Sequence, residues 1–190
     1  MNEESTAAEV QRWVERLDLE PHPEGGYFRE TWRSGVVLPG EVLPAHGGDR
    51  NAGTSILYLL PSGERSARHR VASDELWLFQ AGDPLDLAIE DPETGEEKKI
   101  RLGLGEGQKL QALVPAGWWQ SAEGAAGEAG YTLVGCVVVP GFDFADFEMA
   151  DTGGEAESGR GGGEGPPRVS RGGIGRCGAL GERYCRGVRN

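Results

Sequence analysis

The sequence predicts an all-β domain, an antiparallel sandwich or barrel behind one short N-terminal helix, and three observations support that class. Short runs rich in aromatic and β-branched residues follow one another from Tyr27 to Val139. Turn-forming groups such as Pro61-Ser62-Gly63, Ala81-Gly82-Asp83-Pro84 and Pro115-Ala116-Gly117 separate them. Beyond the first twenty residues no stretch places apolar residues at helical spacing, so nothing supplies the helical crossovers that a parallel sheet needs.

Taken in order, Thr6-Ala7-Ala8-Glu9 has the spacing of a capping box, and Val10, Trp13, Val14 and Leu17 fall on one helical face. A short amphipathic helix is expected there, ended by Pro21. The strands expected after it are Tyr27–Arg33, Thr54–Leu60, Ser66–Val71, Glu75–Gln80, Leu85–Glu90, Lys98–Leu102, Gln111–Val114, Trp119–Ala122 and Tyr131–Val139. Within them, residues two apart share a face.

A chain of 190 residues with 37% hydrophobic residues supplies one core of ordinary size. Lys+Arg 19 against Asp+Glu 31 gives a net charge of -12, which repels phosphate backbones and anionic membranes. Nucleic acid and membranes are therefore excluded as principal partners. The longest apolar run, Cys136-Val137-Val138-Val139, is far short of a span, and the acidic start Met1-Asn2-Glu3-Glu4 is unlike a signal peptide. Cys136, Cys177 and Cys185 form neither a disulfide framework nor a zinc motif. A cytoplasmic protein is the expectation.

Composition breaks near Asp151. Of 32 glycines, 13 lie in residues 152–190, together with seven arginines and few apolar residues. Such a segment cannot offset its ordering entropy by burial. The expectation is a folded domain over 1–151 and a Gly/Arg-rich disordered tail over 152–190.

Gly63, His69, Val71, Glu75 and Gly82 reproduce the spacing G-x5-H-x-H-x3-E-x6-G, with Val71 at the second histidine position. Pro115-Ala116-Gly117-Trp118-Trp119-Gln120 reproduces P-x-G-x-x-H, with Gln120 at the histidine position. These residues resemble the two motifs of the cupin superfamily. A more specific resemblance rests on His22-Pro23-Glu24-Gly25-Gly26-Tyr27-Phe28-Arg29-Glu30-Thr31-Trp32-Arg33-Ser34, Thr54–Leu60, Ser73-Asp74-Glu75-Leu76-Trp77, Gly82–Leu85 and Pro140–Glu148. In that order the blocks are similar to the uncharacterised fifth cupin family, a domain of unknown function. The resemblance implies a double-stranded β-helix, the jelly-roll cupin barrel, with a polar pocket inside it, an end near Asp151 and a homodimeric assembly.

A cupin metal normally takes three imidazoles and a carboxylate. Here the four positions read His69, Val71, Glu75 and Gln120, so the expectation is no tightly held metal; a divalent ion bound weakly through His69, Glu75, Gln120 and Glu30 stays open. Without metal, His69 beside Glu75 is a proton-transfer pair, since a carboxylate fixes an imidazole tautomer and raises its basicity. That arrangement resembles the metal-free deoxysugar epimerases, in which a histidine and a tyrosine act on opposite sides of the sugar. Tyr58, and less directly Tyr131, are the candidate acids. Glu30, Gln120, Trp118 and Ser66 are candidate ligand-binding residues, and Glu30 shares a strand face with Phe28 and Trp32.

The leading expectation is thus a small-molecule-binding cupin that acts as an isomerase or epimerase on a carbohydrate-like ligand. Two alternatives stand beside it: a metal-dependent enzyme of the dioxygenase type, and a non-catalytic binding or structural module in which His69 and Glu75 are a buried pair. Trp77 and Phe79 read as barrel core, Cys136 as a small core residue, and His22 and Glu24 before Gly25-Gly26 as part of a structural turn. Arg68 points away from His69 on an ideal strand, while Arg29, Arg33, Arg65, Arg68 and Arg70 could together form a local positive patch.

Overall fold

The computed structural model describes residues 3–150, and the expected tail at 152–190 lies outside them. One helix, α1 (Glu3–Leu17), precedes thirteen strands: β1 (Glu20–Pro21), β2 (Tyr27–Arg33), β3 (Val37–Leu38), β4 (Arg50–Asn51), β5 (Thr54–Pro61), β6 (Arg65–Val71), β7 (Asp74–Gly82), β8 (Leu85–Glu90), β9 (Glu97–Leu102), β10 (Gln111–Val114), β11 (Trp119–Gly124), β12 (Tyr131–Val139) and β13 (Phe147–Met149). Every strand expected from the sequence is present. No described helix is long and apolar enough to cross a membrane.

The helix differs from expectation at both ends. It is helical from Glu3, so Thr6 lies inside it, its side chain against Gly130 at the start of β12. Its stop is Asp18, with φ 52, before Pro21 is reached. The Leu19 amide donates to the Val14 carbonyl at 2.9 Å, which closes the last turn as a left-handed cap. Leu19 then turns inward with Val10 to meet Leu59, Leu133 and Tyr131, and Trp13 packs on Tyr131 with ring centroids 5.5 Å apart.

Two antiparallel sheets face each other. The first has the order β1-β2-β5-β12-β7-β10 and the second β13-β6-β11-β8-β9, with β3 and β4 as a separate ribbon. From β5 to β13 the strands alternate between the sheets apart from the β8–β9 hairpin, which is the jelly-roll arrangement. In the first sheet one face carries Tyr58, Trp77, Val134, Cys136 and Val114, all buried, and looks into the sandwich. Its other face is covered by α1 around Leu59 and Leu133. The second sheet contributes Val71, Leu85, Leu87, Ile89, Ala122 and Leu102 to the interior.

Ala72 and Ser73 carry the chain from β6, in the second sheet, to β7, in the first. Glu75 therefore faces His69 across the interior, from the opposite sheet.

Candidate functional site

His69 and Gln120 are register partners on β6 and β11, and Glu75 and Trp77 enter from β7 opposite them. All four are buried, His69 to 3%, Glu75 to 7% and Gln120 to 1% exposure. Such polar groups persist in an interior only when their hydrogen-bonding capacity is met. Here the two sheets meet it for each other: Trp77 Nε1 donates to Gln120 Oε1 at 2.9 Å, and Gln120 Nε2 donates to Glu75 Oε2 at 2.6 Å. Gln120, standing at the histidine position of the motif, thus acts as an amide bridge that fixes one oxygen of Glu75. The Cys136 thiol also hydrogen-bonds that carboxyl group.

The residues not singled out for chemistry in the sequence are His22 and Glu24. The turn before β2 enters the barrel because Gly25 and Gly26 adopt φ 111 and 65, values that other residues rarely adopt. A Cβ on Gly25 would stand 2.4 Å from the Arg65 carbonyl oxygen, and one on Gly26 2.6 Å from that of Leu59. So close a seat is tied down by Ala67 N–H donating to Glu24 O at 2.8 Å and by Tyr58 Oη donating to Gly25 O at 2.8 Å. It delivers the Glu24 carboxylate between two imidazoles, with Oε1 3.3 Å from His22 Nδ1 and Oε2 2.7 Å from His69 Nδ1.

The two rings respond differently. His69 Nδ1 also has the Ala67 carbonyl oxygen at 2.8 Å. With an acceptor on each side, Nδ1 must carry a proton, and Nε2 is the atom left for chemistry. Burial opposes a charge on this ring, but the Glu24 carboxylate outweighs it, with Glu75 and the Ala67 carbonyl adding, and its pKa rises to about 9. His22 Nδ1 instead faces the Glu24 backbone N–H at 3.4 Å. Burial lowers its pKa despite Glu24, and the neighbouring His69 lowers it further. One carboxylate therefore holds one imidazolium, His69, beside one neutral ring, His22. Burial also raises the pKa of Glu75, against the pull of His69 and Gln120.

The other candidates are placed as follows. Tyr58 is buried at 1% exposure with its hydroxyl engaged on Gly25; burial raises its pKa further above the ordinary tyrosine value. Ser66 is buried beside that hydroxyl. The carboxylate of Glu30 is clamped by Arg33, with Nε at 2.9 Å and Nη2 at 2.7 Å, because β2 shifts register after Glu30. Trp118 lies outside the interior next to Lys98, and Trp119 lies under Arg68 and Arg70. Tyr131 packs on the helix side, against Trp13. The structure thus gathers His69, Glu75, Gln120, Tyr58 and Ser66 and keeps Glu30, Trp118 and Tyr131 apart from them. Four of the patch arginines lie in ion pairs: Arg33 with Glu30, Arg65 with Glu123, Arg68 with Glu90 and Arg70 with Glu148.

Among the described residues no group of three or more His, Cys, Asp or Glu side chains converges as a metal-binding set. The donor set explains this: Val71 offers no donor atom, Glu75 is bridged by Gln120, and the third histidine, His46, is engaged by Ser73 at 2.9 Å, so His69 Nε2 is the one ring nitrogen the four motif positions supply. The four motif positions as filled here do not fit a resident transition metal.

The strap that carries β13 (140–149) lies along the β6 edge of the five-stranded sheet. Phe147 lies over the His69 ring at 5.4 Å and meets Phe142 and Phe144 edge-on. The strap is latched by a buried pair, Arg50 Nη2 to Asp146 Oδ1 at 2.6 Å and Nε to Oδ2 at 2.6 Å. On its other side is a cavity of about 570 Å³, bordered by Arg70, Val71, Ala72, Gly117, Phe147 and Glu148 among others.

A family model described as cupin superfamily (DUF985) matches residues 11–150. An uncharacterized protein of Saccharomyces cerevisiae is 31% identical over 150 residues, covering 72% of this chain and 73% of the yeast protein. Among solved structures, a hypothetical protein from Leishmania major superposes with a TM-score of 0.65 at 39% identity, over 74% of this chain and 86% of that one. A protein from Shewanella oneidensis gives 0.64 at 38% identity, over 74% and 83%.

Proposed function

Since the chain belongs to the DUF985 family of the cupin superfamily, we propose that its barrel binds a small polar carbonyl compound and moves a proton on it, as an isomerase or epimerase in which His69 is the proton-transferring group. The observation that carries this reading is the 2.7 Å approach of Glu24 Oε2 to His69 Nδ1 in a buried interior. A carboxylate behind Nδ1 leaves Nε2 as the reactive atom and makes it a stronger base. In the step envisaged, taken by the neutral ring of His69 with Nε2 deprotonated, a C–H bond next to the ligand carbonyl breaks, its proton goes to Nε2, and its electron pair forms an enediolate. The carboxyl group of Glu75, whose pKa is raised by burial, returns a proton. Return to the same carbon on the opposite face gives the epimer, and return to the neighbouring carbon gives the isomer. In this reading Tyr58 is a positioning residue, since its hydroxyl holds the Gly25 carbonyl of the turn that delivers Glu24.

The test is exchange of substrate hydrogen in deuterated water, followed by NMR over a panel of aldoses and ketoses. Exchange that falls about 100-fold or more in His69→Asn, on a scale typical of a lost general base, is the expected result. Exchange unchanged by that substitution contradicts it. A second reading, a binding module without turnover, draws on the fact that Gln120 and Glu75 satisfy each other without a ligand. In that case His69→Asn leaves ligand affinity intact.

Assembly as a homodimer belongs to the same proposal. Register aligns Trp32, Ser55, Val137, Leu76 and Leu113 in one row on the outer face of the six-stranded sheet. Trp32 and Leu113 are each 51% exposed. An apolar row of this kind suits a second copy of the chain, and light scattering at twice the chain mass is the expected result.

A further inference from the structure

Resting on that reading of the site, we infer that the ligand is an uncharged, hydroxyl-rich molecule, such as a free sugar, and not a phosphate ester or sugar nucleotide. The argument concerns where the cations are. Among the described residues, the interior network consists of His69, His22, Glu24, Glu75, Gln120 and Trp77. Two carboxyl groups and one charged imidazole leave no surplus positive charge, and the Glu24 carboxylate already occupies the imidazolium. No lysine or arginine joins the network. The strand arginines point the other way: Arg68 and Arg70 alternate with His69 and lie over the outer Trp119, and Arg29 alternates with the buried Phe28.

The cavity beside the strap repeats the pattern. That 570 Å³ cavity is of a size that holds a small molecule. Phe147 borders the cavity and also packs against the His69 ring. The one arginine on the cavity wall, Arg70, is taken by Glu148, with Nη2 at 2.6 Å. Asp146, also on the wall, is taken by Arg50. A phosphate in this cavity would meet Glu148 and Asp146, one in the interior would meet Glu24 and Glu75, and at either place it would find no free cation, which is unfavourable once it is desolvated. Hydroxyl groups can donate to those same carboxylates and accept from an imidazolium, and so suit both the cavity and the interior.

The test uses the full chain and follows melting temperature together with the ¹⁵N signals of the His69 ring, titrating D-fructose, D-xylose, L-rhamnose, fructose 6-phosphate and inorganic phosphate. Expected is a saturable shift with at least one free sugar, lost in His69→Gln, and an affinity about tenfold or more weaker for fructose 6-phosphate. Saturable binding of fructose 6-phosphate or inorganic phosphate at His69, equal to or tighter than that of the free sugars, overturns the ligand class while leaving the proton-transfer reading in place. No effect of any of the five on the His69 signals overturns both.

Discussion

His69 is an imidazole whose charge the fold maintains. Its pKa of about 9 lies above the ordinary histidine value of 6.5, raised chiefly by the Glu24 carboxylate against the cost of burial. Because the folded value is the higher one, the stabilisation is complete below about pH 6.5 and is lost as pH rises through 9. Over that window stability is expected to fall by on the order of 3 kcal/mol, measured as the denaturation midpoint in urea against pH, and His69→Gln should flatten the curve there. A base with this pKa also works better as it loses its proton. Exchange activity is therefore expected to climb with pH toward 9, and in Glu24→Gln to reach its plateau at lower pH. His69, Glu75 and Gln120 were legible because the motif spacing fixes which side chains face inward from β6, β7 and β11. His22 and Glu24 were not, because they lie in a turn with no side-chain period. The available signal was the Gly25-Gly26 pair beside two of the rarer interior residue types, read above as a turn alone. A turn it is, but one whose positive φ values drive its carboxylate into the barrel.

Among the elements, the strap and the turn do the most for the site. Asp146 to Arg50 is a buried pair closing the strap on the body of the barrel, and removing one partner leaves a buried charge. Asp146→Asn is expected to lower stability by about 3 kcal/mol and to raise the hydrogen-exchange rates of the β13 amides relative to those of β12. Equal changes in both strands would show that the strap is not a separate unit. Gly26→Ala, forced to place a Cβ 2.6 Å from the Leu59 carbonyl at φ 65, is expected to displace the turn and return His69 toward an ordinary titration. Strands of six to nine residues were legible from alternation and turn chemistry, and β12 from its apolar run. The two-residue β1, β3 and β4 and the three-residue β13 are shorter than any repeat a period can show; β1 and β13 form because the edges of β2 and β6 are open to pair with them, and β3 and β4 pair with each other. The helix stop was misplaced because a left-handed aspartate, Asp18, ended it ahead of the proline.

At the level of the whole molecule, the alternation of strands between two sheets places one polar cluster in an otherwise apolar interior, and the acidic surface with its paired arginines leaves that cluster without a spare cation. The fold class followed from strand density and the motif spacing. The site's electrostatic character did not, since a row of arginines on β6 reads the same in sequence whether it lines a pocket or, as here, the outside of a sheet. The account depends most on a buried Glu24 carboxylate holding a proton on His69. The most direct measurement is the ¹⁵N NMR titration of the His69 ring in the unaltered chain and in Glu24→Gln. The account predicts a proton on Nδ1, titration near pH 9 in the unaltered chain, and a downward shift on loss of the carboxylate. Titration near the ordinary histidine value in both proteins would contradict it.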